Sequence, residues 1–161
     1  MRILGIDPGL RITGYGCVDV VDESTTTVVE AGVIRVPTSG ALERRLHHLH
    51  VELEAILKEL APHHMAVESL FTHPQHLSTG IRMGHARGVI LLAGAARDLE
   101  IIELPPAEVK KALTGDGRAD KRRMQLAITS QCQLSEVPEP PDVADALAIA
   151  LCAARRLVTV S

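Results

Sequence analysis

The segment from Arg2 to Gly16, RILGIDPGLRITGYG, constrains the chain more than any other. It opens with a short apolar run, Ile3 to Ile6, interrupted only by Gly5, which has the length and character of a buried strand. The run ends at Asp7, and Pro8-Gly9 turns the chain at once. A carboxylate is therefore fixed at the end of a buried strand, beside a tight turn. Gly14 and Gly16 then open a second segment, in which backbone can approach backbone or a ligand closely. Asp in such a place commonly caps its own turn. A wider role for Asp7 depends on which other acids reach it.

The rest of the chain bounds the class of protein. Its 161 residues suffice for one domain, 1–161, with a full core. Apolar residues make up 46% and aromatic residues 1%, so the core must be aliphatic and rich in alanine. The longest uncharged, largely apolar run, Gly88 to Ala96, falls far short of the roughly 18 residues that suggest a membrane span. The N-terminus enters Asp7 without a secretory apolar region, and the expected location is cytoplasmic, with no membrane partner. Cys17, Cys132 and Cys152 are scattered and odd in number, which predicts buried free thiols and neither a disulfide framework nor a zinc site.

A formal charge of -3 argues against indiscriminate binding of nucleic acid. Its distribution is uneven. Lys110, Lys111, Arg118, Lys121, Arg122 and Arg123 cluster in one stretch, against Glu108, Asp116 and Asp120, while every charge from Glu136 to Asp145 is acidic. A basic stretch beside an acidic one suits a polyanion held over a metal site, and equally an ordinary solvated surface.

Periodicity supplies the elements. After Gly16, CVDVV and TTTVVEAGVIRV read as strands joined by a VDEST hairpin loop, giving three sequential antiparallel strands. Leu42, Leu46, Leu49, Leu53, Ile56, Leu57 and Leu60 mark a helix from Ala41 to Leu60, closed by Pro62. MAVESL is a fourth strand carrying Glu68, followed by the loop FTHPQHLSTG. A helix from Ile81 to Leu99 is studded with Gly and Ala, which permits close packing at some cost in helix propensity. Ile101 to Leu104 is a fifth strand, and helices are predicted from Ala107 to Leu113, Asp120 to Gln131 and Val143 to Leu157. Arg155 and Arg156 are expected to complement the C-terminal end of the last dipole. Tyr15 is expected to be packed. Strands first, then alternating strands and helices, predict an α/β fold with a mixed five-stranded sheet flanked by helices.

Two strands thus end in an acid, Asp7 and Glu68, and the last helix offers Asp142 and Asp145, three residues apart on one face. Asp142 is also an ordinary helix-start residue. Asp145 lies a turn inside an apolar helix, where a charge needs a partner, either a cation or an arginine. Four converging carboxylates would repel one another and bind protons unless a cation were present. Oxygen donors select hard ions such as magnesium or manganese, and a pair of such ions can clamp a phosphodiester.

GIDPGLRITGYG, AVESLF, GHARGV and PPDVADALAIA, in this order and spacing, resemble the signature segments of the bacterial RuvC Holliday junction resolvases. The resemblance covers essentially the whole chain. It implies an RNase H-like fold, with Asp7, Glu68, Asp142 and Asp145 as catalytic acids and metal ligands. It further implies Mg2+ as cofactor, two ions per site with Mn2+ as a substitute, and paired nicks with 5′-phosphate and 3′-hydroxyl ends in four-way DNA junctions. Some members of that family carry His for the first acid of the last pair; this chain keeps Asp142.

Phe71 is the chain's single phenylalanine, at the start of a polar loop. Its position suits either stacking on an unpaired base or packing on the helix below; the resemblance implies the former. Lys110 and Lys121 match basic positions that meet the scissile strand in the family, and a compact ammonium suits phosphate. Lys111, Arg118, Arg122 and Arg123 are expected to act as diffuse electrostatic contacts. Arg82 and Arg87, on the small-residue helix, could serve DNA or a subunit interface. His47, His48, His50, His63 and His64 fall in no zinc spacing, and His73 and His76 flank the Phe71 loop.

Two matched cuts in a nearly two-fold symmetric junction call for a symmetric homodimer, with the helix from Ile81 to Leu99 at or near the interface. The family also implies the RuvA–RuvB branch-migration complex as a partner. Competing readings are a nucleotide-binding lobe of the actin and sugar-kinase type, suggested by Asp7-Pro8-Gly9 but lacking a second lobe; a non-catalytic binder of branched DNA; and an RNase H-like nuclease with another substrate.

Overall fold

A computed structural model describes residues 1–22, 25–70 and 77–160 of the chain. Phe71, His73, His76 and the tip of the hairpin loop lie outside the described residues. The strands are β1 (Arg2–Asp7), β2 (Ile12–Val20), β3 (Thr26–Arg35), β4 (His64–Glu68) and β5 (Glu100–Leu104). The helices are α1 (Leu42–Leu60), α2 (Leu77–Ala95), α3 (Pro106–Thr114), α4 (Lys121–Gln131) and α5 (Pro141–Val160).

The five strands form one sheet in the order β3-β2-β1-β4-β5. β1 to β3 are antiparallel neighbours, as expected, and β4 and β5 continue the sheet parallel to β1. The strand that ends in Asp7 is thus the central one. Alternation along β1 divides the core. Ile3 faces a layer made mainly of α3, α4 and α5, whereas Leu4 and Ile6 face α1 and α2 with Leu49, Leu53, Leu57 and Ile90.

α5 is seated on the sheet where β1 and β2 lack side chains. A Cβ on Gly5 would overlap the Ala146 carbonyl and lie 2.9 Å from Ala150 Cβ. One on Gly14 would overlap the Asp142 carbonyl and lie 3.2 Å from Asp142 Cβ, and one on Gly16 would lie 2.8 Å from Leu147 Cδ2. Register aligns these gaps, since Gly5 pairs with Gly16 and Asp7 with Gly14. The alanines of α5 fill them, with Ala146, Ala148, Ala150 and Ala153 fully buried. An aliphatic core with almost no rings is packed by shortening distances between backbones.

Several boundaries differ from the sequence reading. β2 begins at Ile12, before the CVDVV run, because pairing along the whole of β1 draws Gly14 and Gly16 into the strand. α2 runs from Leu77 to Ala95; Arg97, Asp98 and Leu99 turn back onto Gly94 and Ala95 carbonyls so that β5 can pair with β4. α5 begins at Pro141, which is suited to a first turn, and continues past Leu157 to Val160. Arg155 and Arg156 are therefore not in its last turn. Arg155 instead donates to the Ala112 carbonyl and, at 2.8 Å, to Gln131 Oε1, and Arg156 donates to the Glu103 carbonyl, so both tie α5 to its neighbours. Cys17 and Cys152 are buried free thiols, but Cys132 at the end of α4 is only half-buried. Tyr15 is half-buried and donates to Glu30 at 2.8 Å.

Replacing Gly14 with Ala drives a Cβ into the backbone of α5 at Asp142. The expected loss of stability is about 1–3 kcal/mol, read as a lower midpoint in denaturant unfolding; an unchanged midpoint would show that α5 is free to shift.

Candidate active site

The turn after β1 does not need Asp7. The buried hydroxyl of Thr13 donates to the Gly9 carbonyl at 2.7 Å and accepts from the Gly9 N–H at 3.2 Å, which closes the Pro8-Gly9 turn. The carboxylate at the end of β1 is left to face its neighbours. Ile6 is in register with Val67 on β4, so Asp7 and Glu68, each the next residue, terminate adjacent parallel strands. From the face of the sheet, α5 adds Asp145.

Asp7, Glu68 and Asp145 line one cleft of about 230 Å³, together with Lys110 from α3 and Lys121 from the first turn of α4. Asp120 sets the start of α4 by accepting the Arg123 N–H at 2.8 Å as N-cap. Asp142, one turn earlier on α5, is not in this lining; it lines an adjoining cleft with Arg11 and Arg82. Three of the four expected acids are thus gathered directly and the fourth flanks them. Among the described residues no three acidic, His or Cys side chains close in as tightly as the shell of a bound ion.

The electrostatics are those of crowded carboxylates. Asp7 is pushed up to about 8, first by burial, then by the charges of Glu68, Asp145 and Asp142, with Lys121 opposing. Burial and Asp145 raise Glu68 against Lys110. Asp145 is raised chiefly by burial, against Lys121. No hydrogen bond or ion pair to a described residue satisfies these three carboxylates. Two lysines do not neutralise them, and an all-oxygen donor set of this charge fits a hard divalent cation.

Arg87 is largely covered and engaged within the protein. Its side chain, 16% exposed, donates through Nε to the Glu68 carbonyl at 3.3 Å and pairs with the Glu103 carboxylate. It braces the ends of β4 and β5 from α2, and neither DNA nor a subunit interface is needed to account for it. Nothing local in the sequence separated it from Arg82, which is exposed. Of the basic stretch, Arg118, Lys121 and Arg122 are exposed, whereas Arg123 is held by Asp116 at 2.7 Å. His47 and His48 lie on α1 in a separate cleft; His63 accepts the Arg2 N–H at 2.9 Å, and His64 stands 3.2 Å from Glu100.

Comparison with known proteins gives concordant results. The family model for the crossover junction endodeoxyribonuclease RuvC matches residues 3–153. The chain is 47% identical over 150 residues to the RuvC of Rhodopirellula baltica, covering 93% of this chain and 84% of that one. It is 45% identical over 154 residues to the RuvC of Caldicellulosiruptor saccharolyticus, covering 94% and 91%. The solved structure of T. thermophilus RuvC in complex with Holliday junction substrate superposes with a TM-score of 0.92 at 30% identity, covering 99% of this chain and 96% of that one.

The raised Asp7 makes stability depend on pH in a definite direction. A carboxyl at about 8 when folded and 3.8 otherwise contributes stability that is fully present below about 4 and lost as pH rises through 8. Without divalent cation, Asp7→Asn should therefore gain on the parent protein between pH 5 and pH 8.5, by up to about 1.4 kcal/mol per pH unit. Thermal unfolding across that range checks this, and saturating Mg2+ should remove the advantage of the variant.

Proposed function

This chain belongs to the RuvC family and is a Holliday junction resolvase, a structure-specific endodeoxyribonuclease of RNase H-like fold, and on that premise we propose that phosphodiester hydrolysis takes place in the cleft of Asp7, Glu68 and Asp145. The observation that carries this is the meeting, in one cleft with two lysines, of the carboxylates that end β1 and β4 and the one delivered by α5.

Asp7, Glu68, Asp145 and Asp142 would hold two Mg2+ ions, or Mn2+ in their place. Such ions, when bound, would supply the activation of a water and the charge to steady the departing 3′ oxygen. The protein supplies the rest. Sheet and helix fix the carboxylates before the substrate arrives, Arg87 holds the chain at Glu68, and Lys110 and Lys121 present ammonium groups to the scissile phosphate. Arg118 and Arg122, exposed beside Lys121, and Lys111 on α3 extend this charge along the backbone. Phe71, three residues beyond Glu68, is assigned by resemblance to stacking at the junction centre. The products are ligatable nicks with 5′-phosphate and 3′-hydroxyl ends.

Symmetric cuts call for a homodimer, and α2 offers a face for it. Gly84 and Gly88 open onto free space, and Ile81 and Leu92 are 55% and 65% exposed. The single nuclease domain acts in the cytoplasm with the RuvA–RuvB complex presenting the junction; among the described residues no helix is long and apolar enough to cross a membrane.

Cleavage of a synthetic mobile four-way junction in Mg2+ or Mn2+ tests the site. Paired symmetric nicks are expected, and Asp7→Asn should slow them by about three orders of magnitude or more. Equal cutting by the variant would remove Asp7 from the mechanism.

A further inference from the structure

A second cleft, of about 580 Å³, is lined in part by Asp142, whose charge acts on Asp7 and Asp145 of the acid cleft. Three separate elements bring arginines to it: Arg11 from the turn before β2, Arg45 from α1 and Arg82 from α2. Thr38 and Thr79 add hydroxyls to the same lining. Arg45 is anchored, donating through Nε to the Pro37 carbonyl at 2.5 Å and through Nη2 to the Leu10 carbonyl at 2.7 Å. Both acceptors are neutral, so its charge is fixed in place without being cancelled. Arg11 and Arg82 are exposed and make no ion pair with a described residue. Asp142 is the one carboxylate in the lining, and it is shared electrostatically with Asp7 and Asp145.

Scattered surface arginines need no explanation. Here, however, arginines from three elements line one concavity with two threonines, and one of the arginines is held by two backbone carbonyls. Planar, permanently charged guanidinium groups on a concave surface suit the phosphates of a nucleic-acid backbone. The acid cleft has its own cations, Lys110 and Lys121, and the two clefts have no lining residue in common.

We propose that Arg11, Arg45 and Arg82 form a second phosphate-binding cleft, which grips DNA backbone where it continues past the acid cluster at Asp142. This rests on the nuclease reading above. In it, the substrate is held by lysines within the acid site and by arginines beside it, so that the reactive phosphodiester is stretched between two anchored stretches of backbone.

The test measures binding of a fluorescent four-way junction by the full chain, without divalent cation, over a range of salt concentrations. Arg11→Ala/Arg82→Ala removes two exposed charges from the cleft; Arg44→Ala/Lys58→Ala removes two from α1 outside it. The cleft variant should bind about tenfold or more weakly, with the slope of log affinity against log salt reduced by about 1–2, while the α1 variant stays within about twofold of the parent. Arg82 lies beside the proposed dimer face, so Arg11→Ala alone carries the test if sedimentation shows that the double variant has dissociated. Affinity and slope equal to those of the α1 variant would overturn the proposal. A parent protein that binds the junction no more tightly than a linear duplex would instead overturn the reading on which it rests.

Discussion

Everything about the site depends on how closely α5 approaches the sheet. Gly5, Gly14 and Gly16 leave three gaps on the face of β1 and β2 that meets α5, and the helix, mostly through its backbone, occupies the space their side chains would take. Any side chain there would lift the helix by about the thickness of a methyl group. The same contact that builds the core also carries Asp142 and Asp145 to the ends of β1 and β4. Packing and chemistry are therefore one constraint: the alanines of α5 fill the core, and the two aspartates in its early turns are delivered by that filling.

The constraint carries an electrostatic cost. Burial, and then the crowding of carboxylates at the ends of β1 and β4, favours the protonated forms, and this pushes Asp7 up to about 8. Lys110 and Lys121 relieve part of this, and Arg87 relieves none of it, since it holds a carbonyl and a different acid. The remaining negative potential is what attracts cations, and it would repel DNA unless basic groups surrounded it. They do so on two sides, lysines from α3 and α4 within the cleft and arginines around Asp142 beside it.

Much of this was legible in the sequence because it is local. A strand ending in Asp7, a strand ending in Glu68 and an apolar helix interrupted by Asp145 follow from periodicity and from the cost of burying a charge. Gly14 and Gly16 were recognisable as places of close approach, although not which element approaches them. What could not be read depends on contacts distant in sequence. Arg82 and Arg87 share a helix and differ in fate because only Arg87 reaches β4 and β5. Arg155 and Arg156 suggested a helix end, yet they bind carbonyls of α3 and β5 from inside a longer helix. Arg11 had no local signal; its cleft exists only once α1 and α2 are placed against the turn. The division of the four acids between two clefts depends on where α5 lies over the sheet, which a spacing of three residues does not specify.

The most direct test of the central claim, that α5 completes a cation site at the ends of β1 and β4, is calorimetric titration with Mn2+ in the absence of DNA. Glu68→Gln and Asp145→Asn come from different elements and should each weaken binding by about tenfold or more, at about 1.4 kcal/mol per tenfold. Asp19→Asn, which loses the ion pair with Arg2 at the other end of β1, should bind Mn2+ as the parent does. Undiminished binding by both Glu68→Gln and Asp145→Asn would show that the acids do not act together, and would contradict the account.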